Sequence, residues 1–202
     1  VDGVFTPLTV TDRLLAEAPA FGVALAHAWP SAHETGPVIE AARAAVEALG
    51  IANGPSYTQL RLGSDGRAYV VEVAARLGGG HDAELCHAAL GVDLNDLAIS
   101  FALGDPCDAV SQAACVGGAC VLFLVAPEGV LRAIEGVEEA GERDGVEWVR
   151  IYRQPGWEFV PLRRGADRAG AILATGADRE DALARACRAA ETVRFLVDAT
   201  PA

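Results

Sequence analysis

The sequence predicts an α+β fold that is divided into two domains. Apolar residues at helical spacing follow Gly36, which predicts a helix early in the chain. Residues 56–62 and 67–74 alternate in the manner of strands on either side of a glycine-containing turn, which is typical of a β-hairpin. Residues 105–118 contain Pro106 and several small residues, and this stretch is the candidate linker between the two domains.

The first predicted domain spans residues 1–105. Residues 4–10 are predicted to form an edge strand, because Pro7 lacks the N–H group that a central strand needs. Pro37 suits the first turn of a helix, and Asp93 is a predicted helix N-cap. Helices are predicted at residues 36–50, 82–90 and 93–104.

The second predicted domain spans residues 119–199 and is a small α/β unit. Its last helix begins after the N-cap Asp178 and carries apolar residues at helical spacing as far as Val197. Strands are predicted at residues 119–125, 130–134, 146–152 and 171–174.

The composition excludes several classes of partner. Sixteen basic residues, all of them Arg, stand against 28 acidic residues, so the net charge of −12 argues against binding to nucleic acid or to an anionic membrane. Apolar stretches such as residues 119–126 are far shorter than the roughly 20 residues of a membrane span. The five cysteines form no Cys-x-x-Cys pair, which predicts a cytoplasmic protein with reduced thiols. The chain has no Met, and we expect that it begins inside a longer protein.

The hairpin carries the first candidate for chemistry. If Leu62 pairs with Arg67, Gln59 lies opposite Val70 and diagonal to Glu72, with Cβ atoms roughly 7 Å apart. Two oxygen-bearing side chains at that separation can bind one hard cation. Glu72 lies in an apolar strand, where an unpaired carboxylate is costly, so we expect a cation, a guanidinium or water beside it.

The segment after this strand adds groups that suit phosphate. Arg76 follows Glu72 by four residues and can bind phosphate oxygens in a bidentate manner. Gly79 and Gly80 lead into a helix start, whose free N–H groups favour an anion. The alternative is a plain salt bridge between Glu72 and Arg76 beside an ordinary glycine turn.

Two parts of the chain resemble a known family. Residues 72–80 (Glu-Val-Ala-Ala-Arg-Leu-Gly-Gly-Gly), with Gly91-Val-Asp-Leu94 and Ala102-Leu-Gly104, resemble the last lobe of ATP-grasp enzymes. Among these, the chain is most similar to carboxylate–amine ligases of the L-amino-acid ligase kind. The spacing of glycines between residues 129 and 176, followed by a helix, resembles their small C-terminal domain. The resemblance therefore implies the C-terminal half of such a ligase.

The resemblance implies a reaction and roles for the site residues. ATP activates a small-molecule carboxylate as an acyl phosphate, which an amine substrate then attacks. Glu72 and Gln59 would hold Mg²⁺ or Mn²⁺, and Arg76 would be the catalytic residue that contacts the transferred phosphoryl group. Glu72, Arg76, Gly79 and Gly80 would contact ATP and the substrate carboxylate.

The sequence also departs from the family pattern. Gln59 stands where the first metal ligand is commonly Glu, and Ala74 stands where the family usually has Asn. The chain has no Lys, so we expect a missing N-terminal nucleotide-binding lobe as its partner, and we expect this part alone to be inactive. A homodimer is a further expectation.

Two alternatives stay open at this stage. The chain could belong to another ATP-grasp enzyme, such as a carboxylase or a purine-biosynthesis ligase. It could also be a non-catalytic binding or scaffold module derived from an ATP-grasp enzyme, which Gln59 and Ala74 favour. Outside the hairpin region, Arg163, Arg164 and Arg168 form a basic cluster that is expected to pair with neighbours such as Asp167.

Overall fold

The computed structural model describes residues 1–105 and 113–199, and the chain folds into two compact units. The first unit combines Val1–Val10 with Ser31–Cys115, and the second combines Thr11–Pro30 with the chain from Val116 onward. Residues 11–30 are expected in the first domain, whereas the structure groups them with the second unit. The segment groups with the second unit because its strands join the sheet of that unit.

The secondary-structure elements are named here in chain order. The strands are β1 (Asp12–Leu15), β2 (Ala24–Trp29), β3 (Tyr57–Leu62), β4 (Ala68–Ala74), β5 (Gly118–Leu124), β6 (Gly129–Glu135), β7 (Val146–Ile151), β8 (Glu158–Phe159), β9 (Gly170–Gly176) and β10 (Arg194–Asp198). The helices are α1 (Gly36–Ala48), α2 (Asp82–Leu90), α3 (Leu94–Leu103), α4 (Val137–Gly141) and α5 (Arg179–Ala190), and Gly165–Asp167 forms a 3-10 turn. The sheets have the orders β1-β2-β5-β9-β7, β10-β6-β8 and β3-β4.

The three helices of the first unit begin and end near the positions that the sequence predicts. α1 buries Ala42 and Val46 on its apolar stripe and packs against β4. α2 ends at Gly91, whose φ of 69° suits a residue without a Cβ. The side chain of Asp93 accepts hydrogen bonds from two backbone N–H groups of the first turn of α3, at 2.9 and 3.1 Å. The predicted N-cap is therefore confirmed.

The hairpin β3-β4 also forms, but its turn shifts the predicted register. The N–H of Gly63 donates to the carbonyl of Arg67 at 2.8 Å and closes the turn. Leu62 therefore pairs with Ala68 rather than with Arg67. The predicted pairing is wrong by one residue, since the turn takes Arg67 out of the ladder.

The second unit is built on an antiparallel five-stranded sheet. The four strands predicted for this domain are confirmed as β5, β7 and β9, which belong to this sheet, and β6, which belongs to the three-stranded sheet. α5 packs against one face of this sheet through Ala182, Ala186 and Ala189, which are fully buried. Small side chains let the helix backbone approach the sheet closely, where it covers Cys120 and Ile172.

Two predicted elements are wrong. Residues 4–10 form no strand, because a strand needs a neighbour for its backbone hydrogen bonds and none of the described strands pairs with this segment. The last predicted helix extends to Val197, whereas α5 ends at Ala190 and Arg194–Asp198 becomes β10. Pairing with β6 overrides the helical spacing of these apolar residues.

Other elements are absent from the sequence prediction. These are β1, β2, α4, β8 and β10. The candidate linker at 105–118 falls largely on residues 106–112, which lie outside the described residues, and its last residue, Gly118, already belongs to β5. Within the described part of the chain, none of the helices combines the length and the hydropathy needed to cross a bilayer.

Asp181 in the first turn of α5 makes three hydrogen bonds, two through its carboxylate and one through its backbone N–H. Asp181 accepts hydrogen bonds from the backbone N–H of Ala177 at 3.0 Å and from Nε of Arg185 at 2.9 Å. The bond from Ala177, and then the bond from Arg185, lower the pKa of Asp181 from its usual value of 3.8. The N–H of Asp181 in turn donates to the N-cap Asp178 at 2.8 Å.

We expect Asp181→Asn to destabilise the protein at neutral pH and to lose this effect in acid. The pKa of Asp181 is lower in the folded state than in the unfolded state, so its contribution is complete above the unfolded value of 3.8 and is lost as the pH falls through the folded pKa. Melting curves from about pH 7 down to about pH 2 measure the difference between variant and parent. The exposed Glu128 provides a control, since Glu128→Gln should melt like the parent throughout. A pH-independent effect of Asp181→Asn would contradict the explanation.

Candidate functional site

Gln59 and Glu72 lie directly opposite each other in the hairpin. A β-bulge between Gln59 and Leu60 makes Leu60 pair with Val70 and Gln59 pair with Glu72. The predicted diagonal arrangement, with Val70 opposite Gln59, is therefore wrong. The bulge brings the two oxygen-bearing side chains closer than expected, because directly opposed Cβ atoms lie about 5 Å apart.

The surroundings of Glu72 differ from the sequence expectation. Four consecutive residues of β4, from Tyr69 to Glu72, are exposed, and Val71 retains 59% of its accessible surface. Solvent therefore satisfies the carboxylate of Glu72, and burial does not force a cation or a guanidinium to lie beside it. Only the position of Glu72 opposite Gln59 indicates a cation at this carboxylate.

Arg76 lies on the same face of the hairpin as these two residues. Its guanidinium carbon is 5.9 Å from the ring centroid of Tyr57, and its Nη1 donates to the carbonyl of Leu77 at 2.7 Å. Tyr57 and Gln59 are two residues apart on β3 and share a face, and Glu72 is the cross-strand partner of Gln59. The amide, the carboxylate and the guanidinium are thus brought to one face, with Arg76 exposed to solvent.

The residues fit only a cation that keeps much of its water. Ala74, two residues after Glu72, pairs with Tyr57 and supplies no side-chain oxygen. Among the described residues, no group of three His, Cys, Asp or Glu side chains could hold a metal ion. One carboxylate and one amide can still bind Mg²⁺, since this ion retains several waters and takes phosphate oxygens as ligands.

The glycine loop contains a close contact that the sequence analysis misses. A Cβ at Gly78 would lie 2.0 Å from a carboxylate oxygen of Asp82 and 2.7 Å from the ring of Tyr57, so a larger residue there would have to displace these two side chains. A Cβ at Gly79 would meet open space, and Gly80 has a φ of 70°. The run of three glycines is the only sequence signal for this packing, and it does not say which glycine is essential.

The start of α2 is a weaker anion site than the sequence suggests. His81 is the N-cap residue with a φ of 65°, and its Nδ1 lies 3.1 Å from a carboxylate oxygen of Glu84. Asp82 and Glu84 both lie in the first turn of the helix. These carboxylates already complement the positive end of the helix dipole, so they oppose a second anion.

A cavity of about 600 Å³ lies within the first unit beside this loop. Its wall includes Tyr57, Gly78 and Asp82, which also shape the glycine loop, together with the apolar Leu97 and Phe101. This volume and apolar lining are typical of a small-molecule site. Gln59, Glu72 and Arg76 do not line the cavity.

Cys86 lies one turn into α2 and is not a nucleophile. The side chain is fully buried, and burial, followed by the charge of Asp82, raises its pKa to about 11. A thiol with that pKa is protonated at neutral pH. Cys86 therefore offers no thiolate nucleophile at neutral pH.

Comparison with known proteins supports the fold over the whole chain. Residues 122–198 match the family model described as L-amino acid ligase C-terminal domain 2. The L-amino acid ligase of Bacillus licheniformis superposes with a TM-score of 0.87 at 24% identity, over 98% of this chain and 50% of that structure. Phosphoribosylglycinamide synthetase of Anaerococcus prevotii superposes with a TM-score of 0.81 at 14% identity, over 94% of this chain and 49% of that structure.

The chain is also similar to a carboxylase domain of lower TM-score and to a protein known by sequence. The biotin carboxylase domain of the Hydrogenobacter thermophilus 2-oxoglutarate carboxylase, solved with MgADP and bicarbonate, has a TM-score of 0.65 at 17% identity, over 86% of this chain and 39% of that structure. A Sinorhizobium fredii protein, uncharacterized protein y4rH, is 30% identical over 159 residues, which are 79% of this chain and 33% of that protein.

The chain thus spans about half the length of these two ligase structures and a third of the Sinorhizobium protein. The mixed architecture of helices and antiparallel sheets agrees with the predicted α+β class. The chain therefore has the ATP-grasp fold over about half the length of these ligases, and its residues 122–198 are similar to the L-amino acid ligase C-terminal domain 2.

Proposed function

We propose that the chain is part of an ATP-dependent ligase that joins a carboxylate to an amine through an acyl phosphate. The observation that carries this proposal is the presence of Gln59, Glu72 and Arg76 on one face of the hairpin β3-β4. The match of residues 122–198 to an L-amino acid ligase domain supports amino-acid-like substrates. The reaction needs no covalent nucleophile from the protein, in agreement with the buried, protonated Cys86.

Glu72 and Gln59 would bind the divalent cation that accompanies ATP. A bound Mg²⁺ or Mn²⁺ would neutralise charge on the terminal phosphates. Glu72 supplies a full negative charge, and Gln59 supplies a neutral oxygen directly opposite it. Because both side chains extend from a paired ladder, their backbone positions are fixed before the cation binds.

Arg76 would stabilise the charge that develops on the transferred phosphoryl group. Its guanidinium is exposed, and the ring of Tyr57 and the carbonyl of Leu77 hold it over the hairpin face. One edge of a planar guanidinium can make these contacts while the other edge donates to an oxyanion. Gly79 and Gly80 would let the substrate carboxylate approach the backbone, since Gly79 has open space at its Cβ position.

The rest of the enzyme would come from chain outside these 202 residues. The ligases that share the fold are about twice as long, so a nucleotide-binding lobe is a plausible partner region. We propose that this lobe supplies the adenine contacts and the cations that a chain without Lys lacks. The present residues alone would then be inactive. A homodimer and a cytoplasmic location stay predictions.

A non-catalytic module is the second candidate, and specific residues favour it. Ala74 removes one oxygen from the hairpin face, Gln59 carries no charge, and Glu72 is solvated rather than held by burial. A carboxylase is less well supported, since the biotin carboxylase domain superposes with a TM-score of only 0.65. A purine-biosynthesis ligase is a closer alternative, since phosphoribosylglycinamide synthetase superposes with a TM-score of 0.81, and the match of residues 122–198 favours the amino-acid ligase over it. Magnesium-dependent ADP binding by the complete protein separates the ligase from the scaffold.

In the complete enzyme, Arg76→Ala should lower kcat at least about 100-fold. The substitution removes a preorganised cation from the developing phosphoryl charge. Steady-state assays of ATP turnover with a carboxylate and an amine substrate provide the measurement. Arg67→Ala is a matched control, because Arg67 is an exposed arginine in the hairpin turn whose ion pair with Asp65 is loose, at 3.8 Å. Equal rates for Arg76→Ala and the control would remove Arg76 from the mechanism.

Gln59→Glu should tighten the apparent affinity for Mg²⁺ in the presence of ADP. The substitution places a second carboxylate opposite Glu72, and a hard cation binds two carboxylates more tightly than one. Titration of Mg²⁺ with bound ADP as the signal measures the change, and Gln59→Leu should shift the affinity in the opposite direction. If both variants bind Mg²⁺ like the parent, Gln59 is not a ligand.

A further inference from the structure

The five-stranded sheet of the second unit has a second face, opposite α5, that carries positive charge. Arg13 on β1 pairs with His27 on β2, so the two side chains share this face. The ring of His27 is 5.4 Å from the ring of Phe123 on β5 in an edge-on arrangement. His27 and Phe123 are almost fully buried, at 5% and 4% exposure.

A second arginine reaches the same face from the loop before β9. The guanidinium carbon of Arg168 is 3.6 Å from the ring centroid of Phe123, and its Nη2 donates to the carbonyl of Ala24 at 2.6 Å. Nη2 of Arg13 donates to the carbonyl of Gly22 at 3.3 Å. The two guanidinium groups are therefore anchored on carbonyls that are only two residues apart in the chain.

Neither guanidinium is neutralised by a carboxylate among the described residues. This contrasts with other arginines of the same unit, since Arg179 pairs with Asp12 at 3.0 Å and Arg185 pairs with Asp181 at 2.9 Å. The sequence expectation that the 163–168 cluster pairs with Asp167 holds for Arg164, at 3.2 Å, but Arg168 points to Phe123 instead. In a chain with 28 acidic residues, two adjacent arginines without an acidic partner call for another source of negative charge.

The hydrogen-bond inventory of the two arginines points the same way. Nε of Arg13 and Nε of Arg168 are buried without a hydrogen-bond partner among the described residues, as are Nε of Arg153 and of Arg179. What sets Arg13 and Arg168 apart from Arg179 is the missing carboxylate. In both residues Nη2 is bonded to a carbonyl, whereas Nη1 makes no hydrogen bond to the described part of the chain and is not among the buried atoms without a partner. Each guanidinium thus retains an accessible donor and an incompletely solvated charge.

The surroundings of Arg168 disfavour its positive charge, which a bound anion would stabilise. Burial lowers the pKa of Arg168, and the neighbouring charge of Arg13 lowers it further, while Tyr152 opposes this change. The two guanidinium groups, anchored on the carbonyls of Gly22 and Ala24, repel each other, and an anion between them would replace that repulsion by two attractions.

We propose that the second unit binds a small oxyanion, a carboxylate or a phosphate group, between the guanidinium groups of Arg13 and Arg168. Nη1 of each arginine would donate to the oxyanion, and the stack on Phe123 together with the carbonyls of Gly22 and Ala24 would hold the arginines in place. The site lies within the second unit and shares no residue with the hairpin face, so it does not depend on the proposed ligase function.

The test measures binding of inorganic phosphate and of acetate to the protein, each at an ionic strength matched with sodium chloride. Calorimetric titration gives the dissociation constant, and a rise in melting temperature with anion concentration gives an independent readout. Arg13→Gln should weaken binding at least about 10-fold, as expected for the loss of one charge-assisted hydrogen bond. The exposed Arg163 provides the matched control, and Arg163→Gln should bind like the parent.

The outcomes separate the possible results. Binding of phosphate, of acetate or of both that Arg13→Gln weakens supports the site and identifies its ligand chemistry. No binding beyond the chloride baseline, or equal binding by Arg13→Gln and the parent, overturns it. Arg168→Gln is the second variant. Because it removes the stack on Phe123 and with it a stabilising contact, the decision is taken on Arg13→Gln and on Arg13→Lys, which should retain part of the affinity. Arg76→Ala should leave the effect of Arg13→Gln unchanged, so failure of the ligase proposal and failure of this one are distinguishable.

Discussion

Backbone pairing between β3 and β4 sets the position of every side chain at the candidate site. The bulge beside Gln59 places one extra residue on β4, and this single irregularity turns Glu72 to face Gln59. Without the bulge the ladder would carry Val71 to that position instead. The contact between Arg76 and Tyr57 then adds the guanidinium to the same face. The arrangement of side chains at the candidate site therefore depends on a ladder of main-chain hydrogen bonds more than on burial.

The second unit shows a different balance of forces. Its sheet is filled on one side by small residues of α5 that pack directly on β5 and β9, so packing rather than charge positions the backbone. Surface arginines of this unit, such as Arg185, are neutralised by nearby carboxylates. Arg13, Arg153 and Arg168 are exceptions, since main-chain carbonyls hold all three and an aromatic ring also contacts Arg153 and Arg168. This contrast distinguishes positive charge that serves folding from positive charge that is available to a ligand.

Much of the site and its setting could be predicted from local sequence signals. Asp93 has an oxygen that satisfies free N–H groups at the start of α3, and Gly91 adopts the left-handed conformation that ends α2. The glycine-containing turn indicates the hairpin, and the residues on it name the cation and phosphate candidates. The exposure of Glu72 could not be predicted in this way, because exposure depends on what covers a strand and not on the apolar character of the neighbouring residues.

The sequence by itself determined the helix ends of the first unit, the hairpin and the types of group available at its face, because each of these follows from interactions within a few residues. Only the tertiary structure decided the pairing of β2 with β5, whose partners Ala26 and Leu122 are far apart in the chain. It also decided that Arg194–Asp198 is a strand rather than the end of α5, and that a bulge sets the register beside Gln59. The physical reason is that a strand is completed by hydrogen bonds from a neighbour, and the chain does not encode locally which neighbour that is.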